Sequence, residues 1–119
     1  MNDDCFSKRP WGTWLVLAMQ PGYKVKKLIV EPGQSLSKQY HTHRDEYWVV
    51  LEGDGKVILD DEIINPNSEA IEVILNKGFN LKIPKQVIHK LTNTGKSPLV
   101  IIEVQVGEST EEGDIIRLD

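Results

Sequence analysis

A chain of 119 residues is the size of one ordinary domain, so a single domain spanning residues 1–119 is expected. With 14 basic and 18 acidic residues, a net charge of −4 and no block of like charges, it does not read as an electrostatic nucleic-acid binder, although a small phosphorylated ligand needs only a few local cations. No apolar signal region follows Met1, and the longest apolar run, residues 14–19, is far short of the roughly 20 residues of a membrane span, so a cytoplasmic protein without a membrane partner is expected. The single cysteine, Cys5, suits a reducing compartment.

In chain order, β-rich runs are predicted at residues 13–19, 24–30, 36–40, 47–51, 56–59, 71–75, 79–83, 88–92 and 99–106. Turn chemistry separates them: Pro21 and Gly22, Pro32 and Gly33, Gly53 to Gly55, Asn65 to Asn67, Asn76 to Gly78, and Asn93 to Gly95. Only residues 69–75 allow a short helix as an alternative. The tail is acidic and ends in a short strand-like stretch at residues 115–118, which composition alone would also permit to be a solvated arm. The whole pattern is all-β, a sandwich or barrel.

Four side chains with metal-binding chemistry stand in residues 39–46: Gln39, His41, His43 and Glu46. If the chain is extended there, Gln39, His41 and His43 project to one side of the sheet, and two imidazoles at i and i+2 can grip one ion. Glu46 would follow a turn at Arg44 and Asp45, and His89 would arrive from a separate strand. Imidazole and carboxylate suit zinc, manganese, iron, nickel or cobalt, and the lack of thiolates argues against a closed structural zinc site. The alternative is that His41 and His43 are surface residues of a strand.

Gly33, His41, His43, Glu46 and Gly53 are followed by a second block containing Gly78, Pro84, His89 and Asn93. Together these resemble the two motifs of the cupin superfamily. The resemblance implies a cupin double-stranded β-helix, a small jelly-roll-like barrel, with His41, His43, Glu46 and His89 around one divalent ion, zinc or manganese foremost.

From Arg9 to Arg117 the chain is further similar to type II mannose-6-phosphate isomerases. The similarity runs through Arg9-Pro-Trp-Gly12, Gly22-Tyr-Lys-Val-Lys26, His43-Arg-x-Glu46-x-Trp48, Ile102-Glu-Val-Gln105-x-Gly107 and Asp114-Ile-x-Arg117. It implies interconversion of mannose 6-phosphate and fructose 6-phosphate. In larger relatives the same module follows a mannose-1-phosphate guanylyltransferase domain, and the present sequence offers no support for nucleotidyl transfer. The chain departs from the family at Tyr47, where histidine is common, at Gln86, where glycine is common, and at Lys27 and Lys90, where arginine is. Only Arg44 and Asp45 separate His43 from Glu46, and Gln39 is the substitute ligand if Glu46 does not reach the ion.

An aldose–ketose isomerase needs a base and a phosphate anchor. Glu103 is the candidate base, because Glu103 and Gln105 share one face of a core-rich strand; an outward face is the alternative. Arg9, Lys26, Arg44 and Arg117 are the candidate cations, with Arg44 favoured by its place beside the ligands. Gln39 and Gln105 are candidate substrate contacts, and Trp11 and Trp48 are aromatic candidates for a sugar wall or for the core. Two rival readings remain: a cupin oxygenase in a dry pocket, and a non-catalytic metal-containing sugar-binding cupin. A homodimer is expected, since a lone barrel leaves strand edges exposed.

Overall fold

The computed structural model describes residues 5–119. Eleven strands form it: β1 (Phe6–Arg9), β2 (Gly12–Gln20), β3 (Tyr23–Val30), β4 (Gln39–His41), β5 (Arg44–Glu52), β6 (Gly55–Asp60), β7 (Ile71–Leu75), β8 (Asn80–Ile83), β9 (Ile88–Asn93), β10 (Leu99–Gly107) and β11 (Ile115–Arg117), with one 3-10 turn at Glu112–Asp114. All pairings are antiparallel. A six-stranded sheet runs β1-β2-β3-β10-β5-β8 and faces a five-stranded sheet running β11-β4-β9-β6-β7. This is a double-stranded β-helix, as expected.

The strands exist because side chains alternate between the inside and the outside at every second residue. In β3 Lys24, Lys26, Leu28 and Val30 are buried while their neighbours are not, and β10 buries Leu99, Ile101, Glu103 and Gln105 in the same way. Along both strands the inward residues change from apolar to polar. The same change runs along β5, from Val50 and Trp48 to Glu46 and Arg44, and along β9, from Leu91 to His89. One end of the barrel is therefore an apolar plug, including Val30, Val57, Leu75, Leu99 and Ile101. The other end is an open mouth lined by polar groups.

All nine predicted runs contain strands, six of them longer than expected by one to four residues. The exception in kind is residues 36–40, where pairing is confined to Gln39–His41. Residues 71–75 are a strand and not a helix, because each pairs across to β6, from Gly55 with Leu75 to Leu59 with Ile71. The tail is not a solvated arm: β11 pairs with β4, placing Ile115 opposite His41 and Arg117 opposite Gln39. Beyond it, the Leu118 amide donates to the Lys38 carbonyl at 2.8 Å. Strand β1 was not anticipated; its polar sequence, Phe6-Ser-Lys-Arg9, carries no apolar alternation.

Candidate metal and substrate site

The mouth holds a cavity of about 650 Å³. At its base His41, Glu46 and His89 are buried, and one ligand atom from each lies within 4.8 Å of the others. They come from β4, β5 and β9, so only closure of the two sheets brings them together. Backbone register makes the arrangement regular: Gln39 of β4 sits opposite both His89 of β9 and Arg117 of β11. In the facing sheet, Gln105 of β10 sits opposite Lys24 of β3 and Glu46 of β5, while Glu103 sits opposite Lys26 and Trp48.

Glu46 is the most constrained member. His41 Nε2 lies 3.0 Å from its Oε2, Arg44 Nε and Nη2 reach the same oxygen at 3.1 and 3.0 Å, and Trp48 Nε1 donates to Oε1 at 3.1 Å. Burial alone would push this carboxyl up, but the His41 hydrogen bond and the electrostatic influence of the His41 and His89 rings and of the Arg44 guanidinium outweigh it and hold it well below the ordinary range. The carboxylate is thus kept ionised. In His89 burial lowers the imidazole pKa, with Glu46 opposing, so the ring favours the neutral form. Its Nδ1 is 3.0 Å from the Val87 carbonyl, which fixes the tautomer with Nδ1 as donor and leaves Nε2 as a lone-pair donor.

This donor set suits a divalent ion: one ionised oxygen, one neutral imidazole nitrogen and a second histidine, with no sulfur. Among the described residues, three buried polar atoms have no hydrogen-bond partner: His41 Nδ1, Gln39 Oε1 and Gln105 Oε1. Such atoms are costly unless another group satisfies them.

His43, the fourth expected ligand, stands apart from this group in the structure. Strand β4 ends at His41, residues 42 and 43 form a bend, and the alternation that would have put His43 beside His41 is broken. The His43 side chain is 55% exposed and its Nδ1 lies 3.0 Å from Asp114 Oδ1, away from the His41, Glu46 and His89 group. Asp114 makes the bend by accepting the amides of Thr42 and His43 at 3.2 and 3.1 Å and the Thr42 hydroxyl at 2.6 Å. The turn thus precedes Arg44, and Arg44 and Glu46 share the inner face of β5.

Glu103 faces inward, lines the cavity and accepts a hydrogen bond on Oε1 from Gln105 Nε2. Burial, and then the nearby charge of Glu46, push its carboxyl up to about 7, against smaller opposing effects of Lys26, Gln105 and Arg44. Gln105, expected as a substrate contact, is fully buried and does not line the cavity; its Nε2 donates to Glu103 Oε1. Arg44 is 2% exposed; besides Glu46 it donates Nη1 to the Glu111 carbonyl at 3.2 Å.

Arg9, Lys26, Gln39 and Arg117 all line the cavity, as does Trp11. Trp48 is a core residue whose indole serves Glu46. Two roles are not legible in the sequence. Trp14, whose ring centroid lies 4.2 Å from Lys26 Nζ, belongs to an apolar run and carries no local sign of that contact. Asp114 belongs to the motif that ends at Arg117, but the Thr42 and His43 it holds are about 70 positions away, so its hold on the bend has no local signal.

The family described as mannose-6-phosphate isomerase C-terminal matches residues 2–119. The chain belongs to that family. It is 39% identical to the alginate biosynthesis protein AlgA of Pseudomonas aeruginosa over 118 residues, which is 99% of this chain and 23% of that protein. It is also 39% identical to the mannose-1-phosphate guanylyltransferase of Escherichia coli K12 over 109 residues, covering 92% of this chain and 21% of the relative. The chain therefore spans less than a quarter of the length of these relatives. Among solved structures, a Klebsiella pneumoniae protein with a double-stranded β-helix domain superposes with a TM-score of 0.72 at 16% identity, over 100% of this chain and 89% of that one.

Proposed function

We propose that this domain is a metal-dependent sugar-phosphate isomerase that interconverts mannose 6-phosphate and fructose 6-phosphate. The observation that carries the reading is one cavity that joins the His41, Glu46 and His89 group to the perturbed carboxyl of Glu103. His41, Glu46 and His89 would hold a divalent ion, which when bound supplies Lewis-acid polarisation of the sugar carbonyl and its neighbouring hydroxyl.

The remaining work falls to the side chains. Glu103, with a pKa near neutrality, takes the proton from C2 of the open-chain aldose and returns it to C1, while the hydroxyl proton at C2 passes to the oxygen at C1. Gln105 holds one oxygen of that carboxylate, leaving Oε2 for the proton. Arg44 and Trp48 hold Glu46 in place and ionised, a positioning role. The abundance of cations in the lining, Arg9, Lys26, Arg44 and Arg117, favours a phosphorylated substrate over the dry apolar pocket expected of an oxygenase.

The test is fructose 6-phosphate formation from mannose 6-phosphate by protein reconstituted in turn with zinc, manganese, cobalt, nickel and iron. Activity in at least one form, reduced by about 10² or more in Glu103→Gln, is expected. Binding of the sugar phosphate without turnover in any metal form would instead indicate a sugar-binding module.

A further inference from the structure

The four cations of the cavity are not equivalent. Arg44 is buried at the base, and its guanidinium is committed to Glu46 and to the Glu111 carbonyl. Lys26 is buried on β3 and its ammonium lies over the Trp14 ring. Arg9 and Arg117 line the same cavity, but their residues are exposed, one at the end of β1 and the other at the end of β11.

Both arginines stand on backbone that is tied down. Arg9 enters the tight turn to Gly12, its register partner, and a Cβ at Gly12 would stand 1.9 Å from the Ile29 carbonyl oxygen, so β2 can begin there only with glycine. Arg117 pairs with Gln39, and the flanking Leu118 amide donates to Lys38 while the Lys38 amide donates to Asp119 Oδ1 at 3.0 Å. Arg117, Gln39 and His89 form a row across three neighbouring strands, and all three line the cavity. At the usual strand spacing the two ends of this row are roughly 10 Å apart. That span fits a six-carbon chain whose reacting carbons lie at the histidine end and whose terminal phosphate lies at the arginine end.

We propose that Arg9 and Arg117 at the cavity rim hold the substrate phosphate, that Arg44 does not, and that the unpartnered Gln39 Oε1 between rim and base accepts a hydrogen bond from a sugar hydroxyl. The assignment rests on the sugar-phosphate isomerase reading and identifies which end of the substrate each part of the cavity takes. Planar guanidinium forks match phosphate oxygens in pairs, and phosphate at the rim keeps its charge away from the Glu46 and Glu103 carboxylates.

Calorimetric titration of the metal-reconstituted protein with mannose 6-phosphate, unphosphorylated mannose and inorganic phosphate tests it. Arg9→Gln and Arg117→Gln are each expected to weaken mannose 6-phosphate and inorganic phosphate by about tenfold or more. Mannose affinity, metal affinity by chelator competition and thermal midpoint should stay near wild type. Lys77→Gln, which removes a charge from an exposed loop, controls for net charge. Unchanged mannose 6-phosphate affinity in both arginine variants overturns the assignment even if the wild type isomerises the sugar. If the wild type binds mannose 6-phosphate through these arginines but never forms fructose 6-phosphate, the anchor stands and the isomerase reading falls. If the wild type binds neither phosphate compound, both fall.

Discussion

Glu46 and Glu103 are buried carboxylates on the inner face of one sheet, yet their surroundings drive them to opposite charge states. Glu46 has Arg44, His41 and Trp48 on its two oxygens, whereas at Glu103 burial and the like charge of Glu46 outweigh the Gln105 amide and the more weakly acting cations Lys26 and Arg44. In metal-free protein, folded Glu103 keeps its proton up to about pH 7, whereas its ordinary pKa is 4.5. Between those values the folded state binds more protons than the unfolded state, so the Glu103 contribution makes stability fall as pH rises through the window. His89 has the opposite sign below its ordinary pKa, because its folded-state pKa is lowered. The difference between wild type and Glu103→Gln is therefore the readout: the variant should gain relative stability from pH 5 to pH 8 in denaturant titrations. A second residue-scale prediction concerns Gly107. A Cβ there would stand 2.3 Å from the His43 carbonyl oxygen and 2.7 Å from the Arg44 Cα, so Gly107→Ala must displace the start of β5. A loss of about 2 kcal/mol in chemical denaturation is expected, together with weakened metal binding, because Arg44 holds Glu46.

At the scale of elements, the short strand β4 and the carboxyl-terminal strand β11 depend on each other, and Asp114 joins them. Its carboxyl, which burial alone would raise, is held down to about 2 by hydrogen bonds from the side chains and amides of Thr42 and His43. The linked stability is present above the ordinary value of 3.8 and is lost as pH falls towards 2. Asp114→Ala should cost about 1–2 kcal/mol, by analogy with a lost helix cap, and should accelerate amide exchange in residues 115–117. Unaltered exchange there would mean that Asp114 does not hold the strand. Long strands such as β3 and β10 were legible because alternation over eight or nine residues leaves little choice of face. Three-residue strands and the polar β1 carry too few alternations to announce themselves.

Across the whole molecule, the two sheets divide their interior into an apolar plug that supplies stability and a polar mouth that gives some of it up. Buried groups at the mouth, including His41 Nδ1, Gln39 Oε1 and the Glu103 carboxyl, lower the stability of the ion-free fold. A bound divalent ion should offset part of that loss. At a free metal concentration 100 times its Kd, the stabilisation is about 2.7 kcal/mol, and chelation should lower the thermal midpoint accordingly. The same chelator should leave the midpoint of a His89→Ala and Glu46→Gln double variant unmoved.

The sequence by itself determined that the chain is all-β, where most of its turns fall, and which residue types supply metal and phosphate chemistry, because strand alternation and turn chemistry are local properties. The motif resemblance also led to the family that the match over residues 2–119 established. Only the tertiary structure decided that His43 turns outward to Asp114, that Arg44 is committed to Glu46, and that Gln105 supports Glu103 from behind. Each of these depends on contacts between strands far apart in the chain. A bend of two residues held by an aspartate 71 positions away is enough to move a histidine from one face of a sheet to the solvent.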